Sequence, residues 1–490
     1  MNSNFSNDLI EAGFMPFEIE KMSKEELISE DTFNYLLTLN NKFEKEKVIM
    51  QLEERAKEKG CLTNFRNILK QYNKELNIKQ NEKLKHNEVA DKILEENEIA
   101  IYDNNLYMYV NGIYTDDTRT IERKIIDIYP EADSHFRGEV CKNLFLKSEP
   151  TKIVKESGII NFKNGLYNIK EKKLYVHTPS FFSINQINVN FNENAKKVKA
   201  VDDFLDKIST HNQKRKQTIL EMIGYCMTTS INLQKSFILY GETARNGKST
   251  LCNVITQLIG QKNVSNISLK DMNKNAFATS VIKGKILNIG SEMSEEFLSD
   301  TSIFKMFSTG DYLTVEEKFK SKQTISPYAK FIFNANELPI VADKTNAFYR
   351  RLQIIPLETS FSESDSKLFD INEILTNASL EYLAKLSVDA YSSMGEHFSN
   401  FEESEKETNK YKISSNSVLS FMQDTESNIL YDKKEPHTAK DVFDSYKEYC
   451  VANQYKFLGR NKFYAEIEKN NFVIVRNISH QKHYSLNMQK

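Results

Sequence analysis

Between Ser236 and Thr250 the chain reads Ser-Phe-Ile-Leu-Tyr-Gly-Glu-Thr-Ala-Arg-Asn-Gly-Lys-Ser-Thr: an apolar strand, a polar loop and a Gly-Lys-Ser-Thr helix start. Residue types in this order suit a nucleoside triphosphate. Backbone N–H groups at a helix N-terminus cradle phosphate oxygens, Lys248 reaches the terminal phosphates and the Ser249 hydroxyl can ligate Mg²⁺. Gly241, Glu242, Thr243, Ala244, Arg245, Asn246, Gly247, Lys248, Ser249 and Thr250 are therefore the candidate nucleotide-binding residues. After Gly247, the positions Leu251, Val254, Ile255, Leu258 and Ile259 recur at helical spacing, and Gly260 is placed to end the helix. One departure stands out. The usual loop has about four residues between its glycines, whereas Glu242 to Asn246 make five between Gly241 and Gly247.

Hydrolysis needs more than a loop: an acid beside the metal and water, and a polar group on a neighbouring strand. Lys285 to Glu292 reads as a buried strand ending in a carboxylate, which makes Glu292 a candidate to orient water or contact the metal, with an ordinary surface glutamate as the plain alternative. Ala329 to Asn336 is a second such strand, and Asn336 can hold the γ-phosphate or serve a turn. Between them Lys318, Phe319, Lys320 and Lys322 alternate as on a hairpin, suiting phosphate contact and stacking on nucleic acid or simply forming a solvated basic edge. Arg350 and Arg351 directly precede a strand at Leu352 to Pro356; either could stabilise transition-state charge in a neighbouring subunit, or the two form a surface pair.

The elements that must position these groups fall into several regions of the 490 residues. Residues 1–95 read as a helical module or arm, with a helix over Phe43 to Lys59. Residues 96–205 read as an α+β domain with Asn-Gly hairpin turns at Asn111-Gly112 and Asn164-Gly165, a strand through Ile187, Val189 and Phe191, and a helix from Asp202 to Ile208. Residues 206–395 alternate strand and helix, which predicts a mainly parallel sheet. A helix is expected over Phe369 to Ser392, and Asn400 to Lys410 reads as a solvated linker or exposed helix face. In the last region, 412–490, the stretch from Lys456 carries seven Lys or Arg against two Glu. Its order is helix, strand, turn, strand, a winged-helix pattern in which Arg460, Asn461 and Lys462 open the recognition helix while Arg476, His480 and Lys482 sit on the wing. A basic protein-interaction domain is the alternative.

Net charge is −2, so contact with nucleic acid must come from local clusters. Five scattered cysteines show no metal or disulfide spacing, and no apolar run approaches a membrane span, which fits a cytoplasmic protein with no membrane partner.

The ordered set Asn246 to Thr250, Ser291-Glu292, Thr309-Gly-Asp311 to Lys318, Asn336-Glu-Leu-Pro339 and Arg350-Arg351 resembles the superfamily 3 helicases of the phage, plasmid and poxvirus primase–helicase group. It looks most like the replication initiators of staphylococcal pathogenicity islands and related mobile elements. The resemblance implies an α/β protein with an AAA+ P-loop ATPase core, working as a hexameric 3′–5′ helicase on single- and double-stranded DNA, origin DNA included, with ATP and Mg²⁺. Primase or host replication proteins would be further partners. It implies phosphate and metal binding by Lys248 and Ser249, a second-motif acid at Glu292 that also serves the metal, a sensor at Asn336, a finger at Arg350 or Arg351, and a pore hairpin bearing Lys318 and Lys320. Ser291 departs from the pattern, since many ATPases carry a first acid there. Two other readings remain open at this level: a remodelling AAA+ ATPase, which would want an aromatic, apolar pore loop, and a DNA-binding initiator or regulator without unwinding activity.

Overall fold

In the computed structural model, residues 19–39, 42–80, 85–154, 158–243, 245–274, 279–290, 293, 301–316, 322–339, 341, 346–359, 361, 370–431, 436–453 and 455–487 are described. The chain divides into two compact units, one of residues 1–92 with 125–143 and one of 93–124 with 144–490. The first unit is helical. Its helices Lys42–Glu58 and Leu62–Gln80 bury Leu52, Ala56 and Phe65 with Met22, Leu27, Phe33 and Leu36. A reciprocal Ser23/Glu26 capping box starts the short helix Lys24–Leu27.

The second unit is built on a five-stranded parallel sheet in the order β13 (Leu352–Pro356), β7 (Ser236–Tyr240), β12 (Lys330–Ala335), β9 (Leu287–Gly290), β8 (Val264–Ser265). A sheet covered on both faces needs apolar residues at every position, and this explains the uninterrupted runs Phe-Ile-Leu and Phe-Ile-Phe. Alternate residues feed two separate cores. Phe237, Leu239, Ile332 and Ile355 enter one, and Ile238, Phe331, Phe333 and Ile354 the other. The first core also takes in Ile160, Phe162, Ile187, Phe191 and Phe204, so the segment preceding the sheet and the sheet itself share one interior.

Ahead of the sheet lie two small antiparallel sheets. β1 (Ile99–Tyr102), β2 (Asn105–Val110) and β3 (Ile113–Thr115) form one, and β4 (Ile159–Phe162), β5 (Gly165–Asn168) and β6 (Lys173–Tyr175) the other, with both expected Asn-Gly turns in place. The expected strand at Ile187 to Phe191 is corrected. Ile187, Val189 and Phe191 are buried in alternation, yet only an isolated bridge joins Ile187 to Phe162. The helix expected over Phe369 to Ser392 is two helices, Ile371–Ile374 and Asn377–Ser393, because Thr376 caps the second by accepting from Ser379 N–H; Phe369 lies outside the described residues.

Of the two readings of Asn400 to Lys410, the linker is corrected and the largely exposed helix holds. A helix, Glu402–Ser414, packs on β13: Gln353 donates to Ser404 Oγ at 2.9 Å, and Tyr411 OH donates to the Pro339 carbonyl at 2.7 Å. A last module follows, with helices Ser417–Gln423, Ala439–Ala452 and Arg460–Lys469 and an antiparallel sheet ordered β14 (His437–Thr438), β16 (Gln481–Leu486), β15 (Val473–Ile478). Its own core includes Phe421, Tyr446, Phe463 and Tyr484.

One buried cation ties three of these segments together. Arg215, in the first turn of helix Gln213–Cys226, is fully buried; it reaches Glu358 beyond β13 at 3.0 Å, Glu403 of the β13-packed helix at 3.5 Å and Thr210 Oγ1 at 2.8 Å, over the Phe401 ring. Both carboxylates keep solvent contact, so deleting the arginine strands no buried anion, and the loss stays at the low end for a buried pair. Arg215→Ala is expected to lower unfolding free energy by about 3 kcal/mol, read as a shifted urea midpoint. Arg215→Lys should recover little, since a compact ammonium lacks the planar fork whose two separate amino groups reach Thr210 and Glu358.

Candidate functional site

Parallel strands β7, β12 and β13 all end at the same edge of the sheet, and the Gly-rich loop leaves β7 there. Register fixes this meeting: Ala335 pairs with Tyr240, Pro356 pairs with Tyr240 from the other side, and Gly241 N–H donates to the Ala335 carbonyl at 3.0 Å. The loop then enters helix Lys248–Ile259 through Gly247, a left-handed N-cap at φ 85°. A crevice at the carboxyl ends of parallel strands, with a helix N-terminus opening onto it, is the standard place for a phosphate ligand in α/β proteins.

Both glycines are required. A side chain at Gly241 would put its Cβ 2.2 Å from Asn246 Nδ2 and 2.8 Å from the Leu357 carbonyl, and one at Gly247 would meet the Phe361 ring at 2.9 Å. The fifth loop residue is accommodated by a local device. Arg245 adopts φ 60°, and the buried Asn246 amide donates back to the carbonyls of Thr243 at 2.6 Å and Gly241 at 3.3 Å, closing the longer loop from inside. The Asn246 amide nitrogen thus shapes the loop. Ala244 lies outside the described residues.

Lys248 is 93% buried by its surroundings, with 7% relative exposure, and its ammonium donates to the Gly241 carbonyl and to Asn336 Oδ1, both at 2.7 Å. The structure therefore joins two residues 88 positions apart that sequence spacing had proposed for one site. Asn334, two residues earlier on β12, accepts a hydrogen bond from Cys252 Sγ–H at 3.4 Å, and burial pushes the Cys252 thiol up to about 11, so it stays neutral beneath the loop. Tyr240 OH donates to Glu242 at 2.9 Å, and burial first, with Glu242, keeps that phenol protonated.

On the far side of β12, β9 ends at Gly290 opposite Phe333, and Met293 N–H donates to the Asn334 carbonyl at 2.8 Å. Glu292 and Ser291 lie outside the described residues. Ser249 is exposed at the second position of the helix, where its hydroxyl can ligate a metal. Among the described residues no group of three or more His, Cys, Asp or Glu forms a metal cage. The donor set suits a Mg²⁺ ion held by one hydroxyl and substrate phosphates, as that ion usually is.

The two arginines part company. Arg351 is buried, and its guanidinium donates to the Ala347 carbonyl of its own chain, while Arg350 is exposed. The Arg351 carbonyl accepts from Ser236 N–H at the start of β7, so both arginines sit at the amino edge of the sheet. The five residues of β13, roughly 17 Å at about 3.3 Å each, separate Arg350 from the level of the loop. It cannot touch phosphate held by its own loop.

β10 (Leu313–Val315) and β11 (Gln323–Ile325) form an antiparallel hairpin, closed by an ion pair at 2.6 Å between Glu316 and Lys322 that holds the lysine above its usual range. Lys318, Phe319 and Lys320, at its tip in sequence, lie outside the described residues. In the last module Arg460, Asn461 and Lys462 are exposed at the start of their helix, Arg460 lying 5.4 Å over the Phe443 ring. Arg476 is exposed on β15, and Lys482 on β16 is engaged by Glu468 at 3.0 Å. His480 sits in the hairpin turn at φ 66°.

Sequence reasoning missed the segment Leu357, Thr359 and Phe361, which leaves β13 and lies along the loop. The one available signal was an aromatic shortly after the Ile-Ile-Pro strand.

The fold and site are thus those of a parallel α/β protein with a glycine-bearing loop that opens a helix at the carboxyl edge of the sheet. Residues 20–210 match a family described as D5 N terminal like, and residues 239–351 match a family described only as of unknown function. A putative helicase of Acanthamoeba polyphaga mimivirus is 23% identical over 223 residues, which is 43% of this chain and 23% of that protein, so the chain spans under a quarter of this relative's length. Among solved structures, an A-form apo structure of the NrS-1 C-terminal region has a TM-score of 0.51 at 12% identity, covering 83% of this chain and 100% of that one. A second apo structure of that region scores 0.50 at 11% identity, covering 83% and 99%. At such identities the structures show likeness of fold alone. Together the matches support a likeness to the phage and viral primase–helicase group.

Gly247→Ala is expected to weaken nucleotide binding by at least about tenfold, since both the left-handed φ and the Phe361 contact forbid a Cβ, at about 1–3 kcal/mol for such strain. Calorimetric titration with a non-hydrolysable ATP analogue reads the change directly, and circular dichroism confirms that the fold is kept.

Proposed function

We propose that this protein is an ATP-dependent DNA helicase with an AAA+ core, a replication initiator of a mobile element, acting as a ring of six copies and moving 3′ to 5′. The observation that carries the reading is Lys248, a buried ammonium held at the joint carboxyl ends of two adjacent strands by Gly241 and Asn336. A terminal phosphate arriving there exchanges one of these neutral oxygens for an anionic one, so binding is felt at once by β12 through Asn336. Mg²⁺, held by Ser249 and Glu292, would supply charge neutralisation on the phosphates. Glu292 orients water, and Asn336 holds the transferring group or that water.

The exposed Arg350, at the opposite edge of the sheet, completes the loop of a second copy. The hairpin β10–β11 carries Lys318, Phe319, Lys320 and Lys322 to DNA, and the last module, read as a winged helix, uses Arg460, Asn461, Lys462, Arg476 and Lys482 on origin phosphates and bases. The likeness of residues 20–210 to D5 N terminal like proteins and the name of the mimivirus relative support the helicase class. Primase or host replication factors would act beside it, and the likeness to staphylococcal island initiators belongs to the same reading.

The test is ATP-dependent unwinding of forked DNA bearing a single 3′ or 5′ tail; unwinding from the 3′ tail alone is expected. Hydrolysis without unwinding of either fork would favour a remodelling ATPase. Lys248→Ala and Arg350→Ala should each abolish turnover, while a mixture of the two regains part of it, because an intact loop then meets an intact finger. No recovery on mixing would rule out a site shared between copies. Removing residues 416–490, after the helix that packs on β13, should reduce origin binding while ATP hydrolysis survives; loss of hydrolysis first would argue against an origin-binding role for that module.

A further inference from the structure

The segment that leaves β13 is fixed at three points. Leu357 N–H donates to the Tyr240 carbonyl at 2.7 Å, Thr359 Oγ1 to the Lys207 carbonyl at 2.7 Å, and Phe361 N–H to the Arg245 carbonyl at 2.8 Å. These bonds hold the half-buried Phe361 ring against Gly247, the residue that opens the phosphate-facing helix. The ring also packs against the core that holds Phe237 and Leu239, while part of it stays exposed; nothing in closing a glycine-rich loop demands an aromatic. A smaller apolar side chain would cover Gly247 as well.

Its position relative to the sheet suggests a use. β12 and β13 flank β7 on opposite sides. Lys248 and Asn336 place the terminal phosphate on the β12 side, so a triphosphate extended along the loop carries its nucleoside toward the β13 side, where Phe361 stands. From this arrangement, which rests on the nucleotide reading above, we infer that Phe361 is the platform on which the nucleobase stacks. A ring face senses the area of a base and not the pattern of donors and acceptors on its edge. The site therefore takes purine nucleoside triphosphates ahead of pyrimidine ones and separates adenine from guanine weakly.

Two ligands distinguish a base contact from a loop-shaping one: a non-hydrolysable ATP analogue, and inorganic tripolyphosphate, which has the phosphates alone. Both are titrated with Mg²⁺ into the full chain by calorimetry. Phe361→Leu keeps apolar cover on Gly247 and removes the ring. It should bind the ATP analogue about tenfold more weakly, the usual scale for one lost base–aromatic stack, with tripolyphosphate affinity unchanged. Phe361→Trp should restore the analogue, and the GTP analogue should bind within about threefold of the ATP analogue, since no edge contact is invoked. Equal weakening of both ligands would mean that the ring only shapes the loop, and no weakening of either would remove Phe361 from the site; each overturns the inference while the loop assignment stands. Wild-type protein that binds neither ligand would overturn the nucleotide reading, and this inference with it.

Discussion

The register between β7 and β12 is the constraint on which the rest of the site depends. Tyr240 opposite Ala335 makes Gly241 and Asn336 the next residues out at the sheet edge, close enough for one ammonium to bridge them. A slip of one residue would turn Asn336 to the opposite face and leave Lys248, buried, with one oxygen fewer around its charge. What prevents the slip is apolar chemistry and not the polar site. Phe237 and Leu239 belong to one core and Ile238 to the other, as do Ile332 and its neighbours Phe331 and Phe333, so any shift would exchange the contents of two filled interiors. The geometry around Lys248 is thus held by apolar residues away from the loop.

Where sequence and structure agree, burial on both sides is the reason. The runs Phe237 to Leu239 and Phe331 to Phe333 have only one stable use, and Gly247 followed by spaced aliphatics has only one as well. Lys248 and Asn336 could therefore be paired on paper. Elements whose stability comes from elsewhere were not legible. Helix Glu402–Ser414 stays one of two readings on sequence alone, because it buries Ser404 and Tyr411, seven residues apart, a stripe too narrow to decide against a highly charged linker. Ile187 to Phe191 shows the period of a strand because alternate residues do enter the core, but backbone partners are a property of the neighbours. β14 has two residues and exists because β16 pairs with it.

The arginine pair shows the same limit at the level of single side chains. Composition gives Arg350 and Arg351 equal standing, and only the turn preceding β13 decides that one faces the interior and the other water. The lengthened loop is a further case. Its extra residue departs from the usual spacing, and the structure absorbs it with one left-handed residue at Arg245 and one inward amide at Asn246. Loop length is therefore not by itself a measure of whether such a loop can close.

On the proposed reading, the separation of Arg350 from the loop by the full height of the sheet would make each subunit a directional object, with one edge that needs completing and another that completes. Contacts between such edges are head-to-tail and have no two-fold axis, so they propagate until the turn between neighbours either closes on itself or climbs into an open spiral. On the proposed reading an isolated chain holds two halves of different sites. Its turnover would rise more steeply than its concentration, so a dilute preparation would look inert whatever the integrity of its fold.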